Sequence, residues 1–282
     1  MDVDTLRNWR FPEISRAHSE ADAMLYALAI GLGSDPTDSR QLRYVYEKAL
    51  QVFPTMATVL AHPGFWMADP EFGIDATAVL HGEQALTMHG VIPTSGLVVG
   101  RLEIDDVIDK GAKGAFVYST RTISDAATGE LLATLASTTI CRNDGGFGGS
   151  SQRPGRGGVA HDGPPDLVCT LPTFPNSALL YRLTGDRNPL HADPEVASRA
   201  GFDAPILHGL CTFGVAAHAI VRTVCEYDAT RLRHIEVRFS APVTPGTPIV
   251  TRLWNHGDRW SFECSAGESG PVVLTAGQAI VG

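Results

Sequence analysis

Between Asp186 and His191, six residues supply a carboxylate (Asp186), a carboxamide (Asn188) and an imidazole (His191) on what reads as one rigid turn. A carboxyl group and a ring nitrogen held close together can move two protons in one cycle. One takes a proton from water and the other gives a proton to carbon, as adding water across a double bond requires. Each role is worth on the order of 10²–10⁴ in rate. Asn188 could orient the carboxylate or the water. Eighteen residues beyond His191, Gly209 opens a long apolar segment that reads as a helix, where amide N–H groups lack intrahelical partners and the dipole is positive. With no side chain in the way, its N–H could donate to a carbonyl oxygen becoming enolate-like, a contact worth ~3–4 kcal/mol in a transition state.

Taken singly, these residues have plainer readings. An Asp before Asn-Pro is a common cap, and a histidine on an apolar segment is commonly satisfied inside a core. A metal set of His191, Asp193 and His208 is a further option, though the chain has no HExxH and no clear fourth ligand. The carboxylate should favour the protonated imidazole.

The elements that must position these groups follow from caps and punctuation. Asn188 caps a turn whose first position is Pro189, and Asp193 caps a short helix from Pro194 to Gly201. A long helix over Gly209–Glu226 precedes strands at Leu232–Ser240, Pro248–His256, Arg259–Gly267 and Val272–Val281. The first half has the same order: a helix over Glu20–Leu32 capped by Ser19, then strands at Thr77–His81, Gly96–Ile108, Gly114–Ser124 and Leu131–Arg142. Between the halves lies Asn143–Asp166, rich in Gly, Pro and Ser, with the composition of a linker. Its GGFGG run lacks the Lys-Ser/Thr of a phosphate-binding loop. The chain therefore divides into residues 1–142, a linker 143–166, and residues 167–282. A helix too apolar to face water must be wrapped, and a curved antiparallel sheet can wrap it, so each half reads as one helix-in-sheet unit of an α+β fold.

Composition excludes several classes. Of 282 residues, 22 are basic and 31 acidic, a net charge of −9 that disfavours a nucleic-acid binder. Apolar residues make up 44%, enough for a substantial core, yet no run approaches the ~20 residues that cross a bilayer. The acidic first residues do not resemble a secretory signal. The five scattered cysteines form no C-x-x-C pair and read as buried, reduced thiols of a cytoplasmic protein.

The run Tyr181-Arg-Leu-Thr-Gly-Asp-Arg-Asn-Pro-Leu-His191 resembles the signature of the MaoC-like, type 2 enoyl-CoA hydratases, which have the hot-dog fold. Ala204-Pro-Ile-Leu-His-Gly209 and Phe239-Ser-Ala-Pro-Val-Thr-Pro-Gly246 are also similar to that family, and His81-Gly-Glu-Gln84, Asp109-Lys-Gly111 and Gly145-Gly-Phe-Gly-Gly149 resemble its double-hot-dog branch. The resemblance implies (R)-specific, reversible hydration of trans-2-enoyl-CoA without metal or other cofactor. It implies Asp186, His191 and Asn188 as the catalytic set, with His191 as base and Asp186 as acid, and Gly209 as oxyanion donor. It implies a first half, lacking the motif, that holds the acyl chain; pairing of two such double units into a homodimer is the expected assembly. The CoA end would need local cations, for which Arg187, Arg199 and Arg238 are candidates. The rival readings are a 3-hydroxyacyl dehydratase acting on CoA or acyl-carrier protein, a hot-dog thioesterase, and an acyl-CoA-binding module without catalysis.

Overall fold

The computed structural model describes residues 1–149 and 163–282, so residues 150–162 of the linker lie outside the described part. Ten strands form one antiparallel sheet: β1 (Ile14–His18), β2 (Val79–Met88), β3 (Gly96–Asp109), β4 (Ala115–Asp125), β5 (Leu131–Cys141), β6 (Leu167–Leu171), β7 (Leu232–Phe239), β8 (Ile249–His256), β9 (Arg259–Ala266) and β10 (Val272–Val281). Their spatial order is β1-β3-β4-β5-β2-β7-β10-β9-β8-β6. Each half thus contributes five strands in the same relative order, and the halves meet where β2 pairs with β7, Glu83 opposite Arg238 through Thr87 opposite His234. Sharing that junction gives one continuous sheet with only two edges. The edges are the two shortest strands, β1 and β6.

Among the described residues, six helices accompany the sheet: α1 (Val3–Asn8), α2 (Glu20–Ala29), α3 (Ser39–Leu42), α4 (Ser177–Tyr181), α5 (Pro194–Arg199) and α6 (Gly209–Thr223). In α6, 12 of 15 residues are buried, so this is the helix the sheet wraps, and it lies against β6, β7 and β8. The expectation of an equivalent wrapped helix in the first half is overturned. Helix α2, capped by the Ser19–Asp22 capping box as predicted, packs mainly on α4. Tyr26 on α2 and Tyr181 on α4 face each other at 5.9 Å. Helix α2 is therefore the counterpart of α4, since each follows the edge strand of its half. The place before β2 that corresponds to α6 holds only 3-10 turns, beginning with Pro54–Thr58. Apolarity alone cannot tell a helix packed on a helix from one wrapped by a sheet.

Strand β2 runs to Met88 rather than ending at His81, with a register shift between His81 and Glu83. At the shift sits Gly82, where a Cβ would come within 2.9 Å of the Ile140 side chain, so the close approach there suits glycine. Strands β1 and β6, only five residues each, carry too little pattern to be read in advance. The Asp109 carboxylate accepts from the amides of Gly111, Gly146 and Gly148 (2.7, 2.8 and 2.5 Å), tying the start of the glycine-rich segment to the end of β3. All five cysteines are buried and free. No helix among the described residues is long and apolar enough to cross a membrane.

Candidate active site

The turn that follows α4 is shaped by short-range polar bonds and anchored by two longer-range ones, to Ile206 and His208. Gly185 takes φ 149°, open to glycine, and a Cβ there would sit 3.4 Å from the Val59 carbonyl of the first half. The next residue presents Asp186, whose Oδ1 accepts from the Asn188 amide at 3.2 Å. Asn188 Oδ1 in turn accepts from the Leu190 amide at 3.0 Å and caps a single 3-10 turn, Pro189–His191. Asn188 thus orients the carboxylate through its main chain, while its side-chain oxygen is occupied as a cap. Asp193 caps α5 by accepting from Glu195 and Val196.

His191 is 9% exposed, and its Nδ1 lies 2.8 Å from the Ile206 carbonyl. A carbonyl only accepts, so Nδ1 carries the proton and Nε2 keeps its lone pair. His208 is 1% exposed, and its Nε2 lies 3.2 Å from the main-chain oxygen of Asp186. The same logic places the proton of His208 on Nε2. The two imidazoles stack at 3.7 Å with 29° between planes, and Tyr181 lies 4.9 Å from His208. One ligand-type atom from each of Asp186, His191 and His208 falls within 4.8 Å of the others.

Gly209 follows His208 directly and starts α6, which has no side-chain cap; among the described residues its N–H has no acceptor. Phe239 presses on it, since a Cβ at Gly209 would meet two ring atoms at 3.2 Å. His81 packs on the same phenyl ring at 4.7 Å. His62 and His81, both from the first half, also lie within Coulomb range of Asp186. Two histidines, His191 and His208, thus lie close to the carboxyl group, and two more from the half that lacks the motif feel its charge. The only sign of them in the sequence is the His81-Gly-Glu-Gln84 run, to which no chemical role attaches.

Burial dominates the electrostatics. It pushes the His191 pKa below the usual 6.5, outweighing the Ile206 bond and the charge of Asp186, which both raise it. The carboxylate does favour imidazolium, as expected, but burial outweighs it and the net shift is downward. Burial, then the neighbouring His191, pushes His208 down to about 4. Burial thus biases both rings toward the neutral form, which leaves the Nε2 of His191 available as a base.

The metal option changes as well. Asp193 is engaged at α5, and Asp186 joins the two histidines instead. Rings stacked face to face direct their in-plane lone pairs side by side rather than onto one point, a poor fit to tetrahedral or octahedral coordination. Of the three candidate arginines, Arg238 is paired with Glu83 at 2.8 Å, Arg199 reaches Glu195 at 3.9 Å, and Arg187 is exposed beside Asp186. A surface cavity of about 420 Å³ lies between Trp9 and Ile104 and is lined by none of the residues of this site.

Residues 17–143 match the MFE-2 hydratase 2 N-terminal domain, and residues 158–276 match the MaoC like domain. A peroxisomal enoyl-CoA hydratase 2 of Arabidopsis thaliana is 37% identical over 96% of this chain and 93% of its own. A 3-hydroxyacyl-thioester dehydratase Y of Mycobacterium tuberculosis is 37% identical over 84% of this chain and 81% of its own. The crystal structure of a MaoC-like dehydratase from Phytophthora capsici superposes with a TM-score of 0.86 at 30% identity, covering 100% of this chain and 99% of that one.

Proposed function

The chain belongs to the MaoC-like, hydratase 2 family, and from that premise we propose that it adds water to trans-2-enoyl-CoA to give (R)-3-hydroxyacyl-CoA, reversibly. The observation that carries this reading is the lone pair on His191 Nε2 close to the Asp186 carboxyl group, with Gly209, whose amide has no partner among the described residues, directly following His208 at the start of α6. Water sits between the two side chains. With Asp186 entering the cycle as the carboxylic acid, His191 Nε2 takes a proton as the water oxygen attacks the β-carbon of the enoyl group, and Asp186 gives its own proton to the α-carbon, leaving a carboxylate. His191 then passes its proton to Asp186 across the short gap, which restores both groups. The Gly209 amide, at the positive end of α6, holds the thioester oxygen while it carries enolate charge. Asn188 keeps the turn in shape. Run backwards, the same steps dehydrate a 3-hydroxyacyl thioester, the activity in the name of the M. tuberculosis relative.

The first half is proposed to hold the acyl chain. In support, its Pro54–Thr58 turn packs on α6 and its Val59 carbonyl approaches Gly185. The proposal includes a homodimer, supported by Leu28, Leu179 and Leu183, each about half exposed near the packed pair α2 and α4. Sedimentation of the purified chain measures it. A cytoplasmic location is proposed with it, supported by five free, buried thiols. Cell fractionation decides between this and the peroxisome of the plant relative.

The test is loss of enoyl absorbance on mixing with crotonyl-CoA or a longer enoyl-CoA. Asp186→Asn and His191→Gln should each lose roughly 10²–10⁴ in turnover while remaining folded. Near-wild-type turnover in either variant overturns the assignment. Release of free thiol identifies a thioesterase, and no change in either signal identifies a binding module.

A further inference from the structure

We propose that His208 is a positioning residue of this site, whose single N–H and ring face set the geometry of Asp186 and His191 together. The inference rests on the hydratase reading and adds to it a residue outside the proton-transfer pair. His208 is fully enclosed, yet its Nδ1 has no hydrogen-bond partner among the described residues. A buried ring that leaves one nitrogen unpaired is costly, on the order of 1–3 kcal/mol. Packing alone would be served as well by a phenyl ring. What the imidazole provides is the 3.2 Å bond from Nε2–H to the main-chain oxygen of Asp186, twenty-two positions away. That bond fixes the peptide from which the carboxylate hangs.

The same ring lies flat on His191 at 3.7 Å and has Tyr181 at 4.9 Å. His191 can then turn its plane only by displacing His208. The backbone of His208 leads directly into Gly209, the proposed oxyanion donor. One side chain therefore couples three parts of the site: the carboxylate's peptide, the base's ring plane and the start of α6. The titratable and charged groups facing it are His191, Asp186, Tyr181 and Arg182. None of them supplies the unpaired Nδ1 with a donor.

Two replacements divide the roles. His208→Phe keeps the stack and removes the N–H; His208→Gln keeps an N–H donor of similar reach and removes the ring. The expected result for His208→Phe is a kcat 10- to 100-fold lower with KM within twofold of wild type and an unchanged melting temperature, the size typical for partners that orient a reactive group. His208→Gln should recover at least fivefold of that kcat. A third readout does not need turnover: ¹⁵N spectra of histidine-labelled protein should show His208 as the Nε2–H tautomer in wild type. The inference is overturned if His208→Phe keeps kcat within threefold, if His208→Gln is no better than His208→Phe, or if His208 is the Nδ1–H tautomer. If His208→Phe does not fold, the Gln variant and the tautomer decide. Wild-type enoyl-CoA turnover is measured first. Its absence counts against the hydratase reading, whereas an active wild type with an indifferent His208→Phe counts against this inference alone.

Discussion

Replacing Gly209 by Ala distinguishes an amide that the substrate needs from one that merely begins a helix. The backbone there lies outside the left-handed region, so Ala can adopt it, and Ala favours a helix over Gly by up to about 1 kcal/mol. Stability should hold or rise slightly. The new Cβ, however, would lie 3.2 Å from two atoms of the Phe239 ring, tighter than ordinary contact. Phe239 already packs on His81 at 4.7 Å, so the strain must be shared between the ring and the first turn of α6. A shift of a few tenths of an ångström weakens the amide's bond to the developing oxyanion without abolishing it. The full donor is worth ~3–4 kcal/mol, so the partial loss is set at about 1–2 kcal/mol, or roughly five- to thirtyfold in kcat. Phe239→Leu in the same chain removes the clashing ring atoms and should restore at least half of the lost free energy. Enoyl-CoA hydration followed by absorbance, with melting curves on the same samples, makes the comparison. Gly209→Ala turnover within twofold of wild type, or a double variant no faster than the single, would refute the reasoning.

Gly214→Ala places a Cβ 2.5 Å from Ile30 Cγ2, just past the end of α2; overpacking of ~1–3 kcal/mol against a helix gain of about 1 predicts a net loss of up to about 2 kcal/mol, recovered by Ile30→Leu and read by urea unfolding. Arg121 is buried, its pKa pushed down to about 10, and it donates to the carbonyls of Ala57, Thr58 and Leu60; Arg121→Met should cost roughly 2–4 kcal/mol and lower kcat/KM, because that segment leads into the Val59 carbonyl beside Gly185. Burial pushes the pKa of the enclosed His218 down to about 4, below the 6.5 of the unfolded chain, so the unfolded state protonates first as pH falls. Its contribution is complete above about pH 6.5 and is lost between pH 6.5 and 4, at most about 3 kcal/mol from a 2.5-unit difference at 1.36 kcal/mol each. His218→Phe should flatten the slope of stability against pH in that window, whatever its baseline.

Much of this protein is legible in the order of its residues. Caps and prolines act within a few positions, so the Ser19 box, the Asn188 cap ahead of Pro189 and the Asp193 cap of α5 stand where their spacing puts them. Most strands and the wrapped helix α6 are readable for the same reason, because periodicity is a local property. The match of Asp186-Arg-Asn-Pro-Leu-His191 to its family is likewise a matter of contiguous residues. The tertiary structure decided what depends on contacts distant in sequence. Local pattern could not show that α2 pairs with α4 rather than being wrapped by the sheet, because both situations bury an apolar stripe. It could not show that His208 lies on His191, or that His62 and His81 of the other half come near Asp186. The net pKa shift of His191 was decided by the tertiary structure too: the carboxylate raises the pKa, as proximity in the chain indicates, but the desolvation that outweighs it comes from packing, which no short stretch of sequence encodes.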